Sequence, residues 1–93
     1  VNISSPGTPP AWFVYILRCA DDSLYTGIAK DLERRLAEHN TDNTLGARYT
    51  RARRPVVLVY AEDCLDRAEA TRREYAIKRL SRAAKLALIE DSA

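Results

Sequence analysis

The chain has 93 residues, of which 46% are hydrophobic and 30% charged, and its net charge is +2. This length fits one compact domain, and the composition is typical of a soluble globular protein. No apolar run approaches the roughly 20 residues that cross a bilayer, so no membrane-spanning segment is expected. Residues 1–11 lack the basic start and apolar middle of a signal peptide. They are predicted to form a flexible tail before a domain at residues 12–93.

The two cysteines, Cys19 and Cys64, are fewer than a disulfide-stapled secreted domain of this size normally carries. They are therefore predicted to be free thiols in a cytoplasmic protein. Neither belongs to a CxxC or CxxH pair, and His39 is the only histidine. Because a structural zinc ion takes about four ligands, a zinc site is not expected.

Two apolar segments near the start of the chain, residues 12–19 and 24–28, are rich in β-branched and aromatic residues and predict strands. The turn-forming residues 20–23 lie between them, so the two strands are expected to form a hairpin. A third strand is predicted at residues 56–61. It follows Pro55 directly, and the start of a strand is where a missing N–H is tolerated best.

Two longer segments have helical periodicity. The first, residues 31–40, opens with Asp31, which suits an N-cap position. The second begins at Asp66, with Glu69 placed as in a capping box, and runs to about residue 80, after which Ser81 can cap a further short helix. The order β-β-α-β-α-α predicts an α+β domain, in which a small three-stranded antiparallel sheet is flanked by helices.

The first helix carries charged groups on its apolar face. At 100° per residue, Arg35 and His39 lie on the side of the buried leucines, whereas Arg34 points away from them. Burying a guanidinium and an imidazole without partners is costly, so a functional site is one interpretation. The alternative is an Arg35 whose stem packs while its head group reaches solvent.

The second long helix repeats this pattern with a carboxylate. Glu74 falls on the same side as Ala70 and Ile77 rather than on the solvated side. Lys78, four residues later, is well placed for a surface ion pair, which would explain Glu74 without any chemistry.

Residues 47–54, ARYTRARR, combine four arginines with Tyr49 and contain no acid. Such a cluster suits phosphate contact and stacking on bases or sugars. It is equally consistent with an ordinary solvated loop. The four arginines are Arg48, Arg51, Arg53 and Arg54.

Four short motifs occur in a specific order and spacing. Phe13-Val14-Tyr15, followed ten residues later by Tyr25-Thr26-Gly27, resembles the GIY…YIG pair that names a nuclease family, with FVY and YTG in place of the two triplets. Residues 35–40, RLAEHN, resemble the Arg-x-x-x-His-Asn stretch of that family's first helix. Residues 73–78, REYAIK, resemble its later helix with a metal-binding glutamate. The resemblance covers residues 12–80 and is greatest to small bacterial stand-alone members of the GIY-YIG superfamily.

The resemblance implies a DNA endonuclease of repair or recombination that hydrolyses phosphodiester bonds with one divalent ion, Mg²⁺ or Mn²⁺. The catalytic residues that it implies are Tyr15, Tyr25, Arg35, His39 and Glu74. Glu74 would bind the metal, and Arg35 would contact the phosphate as charge builds up. Gly27 would let the DNA backbone approach, and the four arginines of residues 47–54 would bind phosphates.

Tyr15 is implied to be the general base or to position the attacking water. Its reference pKa of ~10 is high for this role, so a nearby cation, either Arg35 or the metal, is expected to lower it. His39, with a pKa expected near neutrality, would accept the tyrosine proton or hold its orientation. Tyr25 would orient the water or the phosphate.

Two other functions remain open from the sequence. One is a nucleic-acid-binding module that has kept the fold but lost cleavage, although all five implied catalytic residues are present. The other is a nuclease subunit that depends on a targeting protein partner, because no targeting region accompanies the motifs.

The nuclease interpretation sets a condition on the hairpin. With a two-residue turn at Asp21-Asp22, Tyr15 would face Ile28, and the side chains of Tyr15 and Tyr25 would point to opposite faces of the sheet. One phosphate cannot be served from both faces. We therefore predict an odd-residue loop, or a bulge, for which Gly27 is the best candidate. Both tyrosines should then face one cleft with the other three catalytic residues.

Overall fold

The computed structural model describes residues 11–92. Residues 1–10, most of the predicted tail, lie outside this range, as does Ala93. Within the described range no helix is long and apolar enough to cross a membrane. Cys19 and Cys64 are both free and buried, which agrees with the prediction of unpaired thiols.

Three strands and four helices are formed by residues 11–92. In chain order they are β1 (Trp12–Arg18), β2 (Leu24–Ala29), α1 (Leu32–Thr41), α2 (Arg48–Arg51), β3 (Val57–Cys64), α3 (Arg67–Lys78) and α4 (Arg82–Asp91). The predicted α+β class and element order are confirmed. The difference is α2, a one-turn helix in the arginine-rich segment, where a loop was considered.

The sheet is antiparallel in the order β2-β1-β3, so β1 is the central strand. Successive residues of a strand point to opposite faces, and β1 is buried on both. Val14 and Ile16 face an apolar cluster that includes Ala70 and Ile77 of α3. The other face of β1 belongs to a second cluster, which includes Tyr15, Leu17, and Leu32 and Leu36 of α1. The sheet therefore separates α1 from α3.

The predicted helix starts are confirmed by their caps. The side chains of Asp31, Asp66 and Ser81 each accept a hydrogen bond from the backbone N–H three residues later. These bonds satisfy donors that the first turn of a helix leaves without partners.

The third strand continues past its predicted end at residue 61 to Cys64. Glu62 can extend it because its carboxylate is held on both sides. It accepts hydrogen bonds from Nε and Nη2 of Arg73, at 2.6 and 3.2 Å, and from the Tyr60 hydroxyl at 2.8 Å. An acidic residue therefore does not end this strand.

Asn40 fixes the end of α1 against the start of β3. Its side-chain amide donates to the carbonyl oxygen of Val56 at 3.0 Å and accepts from the Val56 N–H at 2.8 Å. Because the two residues exchange a pair of hydrogen bonds as neighbouring strands do, α1 is held in a fixed position relative to the sheet.

Candidate active site

The two tyrosines of the hairpin lie on the same face of the sheet. The β1–β2 register pairs Tyr15 with Gly27 and Leu17 with Tyr25. Odd-numbered residues of both strands therefore share a face, because side chains alternate with a period of two. The prediction that Tyr15 and Tyr25 face the same side is confirmed.

The loop between β1 and β2 has the odd number of residues that this arrangement of the tyrosines requires. The Cys19 N–H donates to the carbonyl oxygen of Ser23 at 2.8 Å, which leaves three residues in the turn. The last of these, Asp22, has a φ of 69°, the left-handed conformation usual in three-residue hairpin loops. The β1–β2 pairing is regular through Gly27, so the alternative of a bulge at this glycine is wrong. The one register shift of β1 lies in its pairing with β3.

Helix α1 directs His39 and Arg35 towards this face. The side chain of His39 is completely buried, and its ring centroid lies 6.0 Å from that of Tyr15 and 5.2 Å from that of Tyr25. The side chain of Arg35 is 28% exposed and that of Arg34 is 74% exposed. The predicted division of the two arginines between the inner and outer sides of α1 is confirmed.

A chain of short hydrogen bonds passes through His39. The Tyr15 hydroxyl lies 2.8 Å from Nε2 of His39, and Nδ1 lies 2.8 Å from Oγ1 of Thr50. The Thr50 hydroxyl in turn donates to the carbonyl oxygen of Ala47 at 3.0 Å. The imidazole is therefore held at both nitrogens by buried hydroxyl groups.

Burial keeps the His39 ring neutral. It lowers the pKa of His39 to about 4, and the positive charge of Arg35 lowers it further, against the opposing effect of Glu38. The expectation of a pKa near neutrality is therefore wrong, because a ring with no exposed surface loses the hydration that stabilises its charged form. At neutral pH, His39 is an uncharged hydrogen-bonding group.

The hydroxyl of Tyr15 is also harder to ionise than expected. Burial raises the pKa of Tyr15 to about 12, although its interaction with the Arg35 guanidinium lowers it. Arg35 has the predicted direction of effect, but desolvation outweighs it in the free chain. Tyr15 therefore keeps its proton at neutral pH.

The guanidinium of Arg35 is accessible from solvent, although the aliphatic part of its side chain is packed. Its Nη1 donates to Oε1 of Glu38 at 2.9 Å and to the carbonyl oxygen of Leu45 at 2.6 Å. It also borders an open groove of about 270 Å³ together with Arg34, Glu38 and Lys30. None of Tyr15, Tyr25 and His39 is among the lining residues. The guanidinium thus has a defined position and a free approach.

Glu74 lies on α3, which packs against the face of the sheet opposite to that of Tyr15 and Tyr25. Its side chain is 23% exposed, and its Oε2 lies 3.2 Å from Nζ of Lys78, which is the ion pair considered from the sequence. After burial and the nearby Tyr25, the negative charge of Glu74 also contributes to the raised pKa of Tyr15. That Glu74 shares one cleft with the two tyrosines stays a prediction.

Comparisons with known proteins show the family of this chain. Residues 11–87 match the sequence profile of the GIY-YIG catalytic domain. The chain belongs to the GIY-YIG family. Relatives include a UPF0213 protein of Desulfotalea psychrophila, 60% identical over 89% of this chain and 74% of that one, and a UPF0213 protein of Staphylococcus saprophyticus, 53% identical over 85% and 94%.

Solved structures of two small bacterial proteins are also similar to this GIY-YIG domain. One is the solution NMR structure of a UPF0213 protein from Bacillus halodurans, with a TM-score of 0.54 and 43% identity, covering 85% of this chain and 82% of that one. The other is the NMR structure of a protein from E. faecalis, with a TM-score of 0.54 and 39% identity, covering 82% and 80%. The resemblance to small bacterial GIY-YIG members is thereby confirmed.

Gly27 of this GIY-YIG domain lies directly under the Tyr15 ring. A β-carbon at this position would be 2.5 Å from the Tyr15 hydroxyl oxygen and 2.7 Å from Cζ. Both distances are much shorter than van der Waals contact, so any larger residue displaces the tyrosine. The structure thus gives Gly27 a role in seating Tyr15, besides the close approach of DNA that its motif implies.

The donor chemistry of the GIY-YIG domain fits a hard divalent ion bound with the substrate. Within residues 11–92 no group of three histidine, cysteine or acidic side chains could hold a metal ion. Mg²⁺ is commonly bound through one or two carboxylates, with waters and substrate phosphates as the other ligands. The single carboxylate of Glu74 suits such a site.

The four arginines near α2 have different surroundings. Arg54 is engaged with backbone, since its Nε donates to the His39 carbonyl oxygen at 2.6 Å and its Nη2 to that of Asp42 at 3.0 Å. Arg53 pairs with Asp21 at 3.1 Å. Arg48 and Arg51 are exposed, although Nη1 of Arg51 donates to the carbonyl oxygen of Asn43 at 2.7 Å. The structure therefore presents Arg48 and Arg51 as the more accessible cations.

For two residues of the site the sequence reasoning fell short, because it missed the first and assigned a different contact to the second. One is Thr50, whose partner His39 lies eleven residues away on another helix, so that no local pattern links them. The other is Tyr49, whose ring stacks on Tyr25 at 5.8 Å and carries the guanidinium of Arg53 at 3.9 Å on its face. Its place between arginines had suggested stacking on a base or sugar, and in the free chain it stacks within the protein.

Proposed function

We propose that this GIY-YIG domain is a metal-dependent endonuclease that hydrolyses DNA phosphodiester bonds. The observation that carries the proposal is the buried Tyr15–His39 hydrogen bond of 2.8 Å, formed beside the accessible guanidinium of Arg35. Any buried tyrosine hydroxyl needs a hydrogen-bond partner. The support for chemistry is that this partner is an imidazole nitrogen, which can accept a proton, and that a cation lies nearby.

The pKa values of Tyr15 and His39 decide how Tyr15 can act as a general base. With a pKa of about 12, Tyr15 is protonated at neutral pH, so it cannot act as a preformed tyrosinate. It takes a proton from the attacking water only as its own proton moves to Nε2 of His39. The neutral ring is ready to accept it, and the negative charge of a bound phosphate favours the imidazolium that results. The proton thus travels from water through Tyr15 to His39.

Arg35 and Tyr25 act on the phosphate. The guanidinium offers planar donors to the phosphate oxygens, and its hydrogen bonds to Glu38 and Leu45 fix its position before the substrate arrives. Tyr25 lies against the His39 ring on the same face, and this contact supports a role in orienting the water or the phosphate.

Glu74 is proposed to hold one Mg²⁺ or Mn²⁺ ion. Such an ion supplies electrostatic stabilisation of the scissile phosphate and the leaving oxygen. Lys78 would give up its contact with the carboxylate when the ion binds. Because this exposed pair is worth only a few tenths of a kcal/mol, its loss opposes metal binding weakly.

Branched or damaged DNA, as met in repair and recombination, is the proposed substrate class in a cytoplasmic protein. A binding module without cleavage, or a subunit activated by a targeting protein, is the alternative. The test incubates the purified chain with duplex, nicked, branched and single-stranded DNA in Mg²⁺, in Mn²⁺ and in chelator. Cleavage that requires the metal is expected. Binding without cleavage under every condition would contradict the proposal, and cleavage that appears only with lysate would favour a partner.

Replacing Gly27 with alanine is expected to reduce cleavage about 100-fold, the lower range for loss of a general acid–base group. The new methyl group displaces Tyr15 and breaks its contact with His39. Cleavage rate and DNA affinity are measured separately, and affinity should change little. In a Tyr15→Phe background the same substitution should cost almost no further activity. If Gly27→Ala instead weakens DNA binding and leaves the cleavage rate at saturating DNA unchanged, the role of Gly27 is to let the DNA backbone approach.

Replacing both Arg48 and Arg51 with glutamine is expected to weaken DNA binding and to flatten its dependence on salt. Each lost phosphate contact lowers the slope of log affinity against log salt by about 0.9. The control is the double variant Arg72→Gln, Arg82→Gln, which removes equal charge from α3 and α4. Equal slopes for the two double variants would mean that only net charge matters.

A further inference from the structure

Thr50 lies behind His39, on the side of the ring away from Tyr15. Its side chain is completely buried, and its Oγ1 is 2.8 Å from Nδ1 of His39. A hydroxyl group has one hydrogen to donate and lone pairs that accept. The hydrogen of Thr50 is directed at the carbonyl oxygen of Ala47, 3.0 Å away. The oxygen is therefore left to accept, and the hydrogen between Thr50 and His39 belongs to Nδ1.

The other nitrogen of the ring is compatible with this assignment. The Tyr15 hydroxyl oxygen lies 2.8 Å from Nε2 of His39. With its hydrogen on Nδ1, the neutral ring has a lone pair on Nε2 that accepts the hydrogen of Tyr15. With its hydrogen on Nε2, the ring would present a donor to the Tyr15 oxygen and leave the Tyr15 hydrogen without this acceptor.

We infer that Thr50 is a positioning residue that holds His39 in the Nδ1–H tautomer and so keeps Nε2 free to accept the Tyr15 proton. The consequence for cleavage rests on the proposed function. The tautomer itself is a property of the free chain and does not depend on any substrate.

The geometry explains why a threonine is needed here. A ring with its hydrogen on Nε2 would present a donor to Tyr15 and could not take the proton that the water attack releases. A neutral imidazole in solution interconverts between the two forms, and the partner of one nitrogen decides the state of the other. Thr50 is that partner, and its own donor is occupied by Ala47.

The test uses the fact that His39 is the only histidine of the chain. With ¹⁵N-labelled histidine, NMR of the ring nitrogens at pH 7 reports one imidazole without overlap. We expect a protonated Nδ1 and an unprotonated Nε2 in the wild-type chain. Thr50→Val removes the hydroxyl and keeps the shape, and should move the ring to the Nε2–H form or to a mixture.

The kinetic arm compares the same variants on DNA. Thr50→Val should lower kcat roughly 10- to 100-fold with KM little changed, the range found when the group that orients a metal-bound histidine is lost. Thr50→Ser, which retains the hydroxyl, should restore both the spectrum and the rate.

Separate results test the two proposals. An Nε2–H tautomer in the wild-type chain overturns the inference, as does a Thr50→Val spectrum identical to that of the wild type. If the wild-type chain cleaves no DNA, the proposed function fails, and the spectra still decide the tautomer. If Thr50→Val does not fold, the spectra of the wild type and of Thr50→Ser decide it.

Discussion

Replacing Glu74 with glutamine is expected to reduce metal-dependent cleavage about 1,000-fold, because a metal ion contributes several kcal/mol to transition-state stabilisation and each 1.4 kcal/mol is worth about tenfold in rate. Glutamine keeps the shape of the side chain and removes the charge that binds a hard cation. The measurement is the single-turnover rate as a function of Mg²⁺ concentration. Thermal unfolding of the variant shows whether its fold is intact.

Lys78→Gln is the matched control. It breaks the same 3.2 Å ion pair from the other side and leaves the carboxylate free. Because an exposed pair of this spacing stabilises a helix by only about 0.2–0.5 kcal/mol, the control should retain cleavage and nearly all stability. Equal losses of cleavage in the two variants would mean that Glu74 is only a partner for Lys78.

Replacing Arg35 with alanine should lower the cleavage rate about 100- to 1,000-fold, as the loss of one transition-state donor does. The positive charge of Arg35 lowers the pKa of Tyr15, and its side chain borders the open groove, so both proton transfer and phosphate binding lose a cation. The measurement is the cleavage rate at saturating DNA and metal.

Arg34→Ala is the neighbouring control, with an expected change of only a few-fold. Both arginines bind the carboxylate of Glu38, at 3.2 Å for Arg34 and 2.9 Å for Arg35, so the two variants remove comparable ion pairs. Both also line the open groove, and they differ in burial, because the Arg34 side chain is 74% exposed and that of Arg35 28%. Similar losses from the two substitutions would show that the charge of α1 matters and that the position of Arg35 does not.

The fold was largely predictable because its signals are local. Asp31, Asp66 and Ser81 carry side chains that cap helices in isolation, and each caps a helix here. The short helix α2 was not predictable in this way. Its four residues are too few to establish a period, and its N-cap, Ala47, provides no side-chain cap.

The sequence predicted on which face of α1 and of the β1–β2 hairpin the residues of the candidate site lie. Periodicity assigned Arg35 and His39 to the inner side of α1. The alternation of strand side chains predicted that an odd-residue loop or a bulge must bring Tyr15 and Tyr25 to the same face. Neither method gives the degree of burial. The pKa of His39, about 4, depends on a ring with no exposed surface, which is a property of the packed chain. Thr50 was missed for a related reason, because only tertiary contact gives its hydroxyl a partner.

The three-residue loop between β1 and β2 also limits how the length of this chain can change. Deleting or inserting a single residue between Cys19 and Ser23 would exchange the two faces of β2 and turn Tyr25 towards α3. A change of two residues would preserve the faces and alter only the tip of the hairpin. Homologous chains that retain this site should therefore differ in loop length here by even numbers of residues, because side chains alternate between the two faces of a strand.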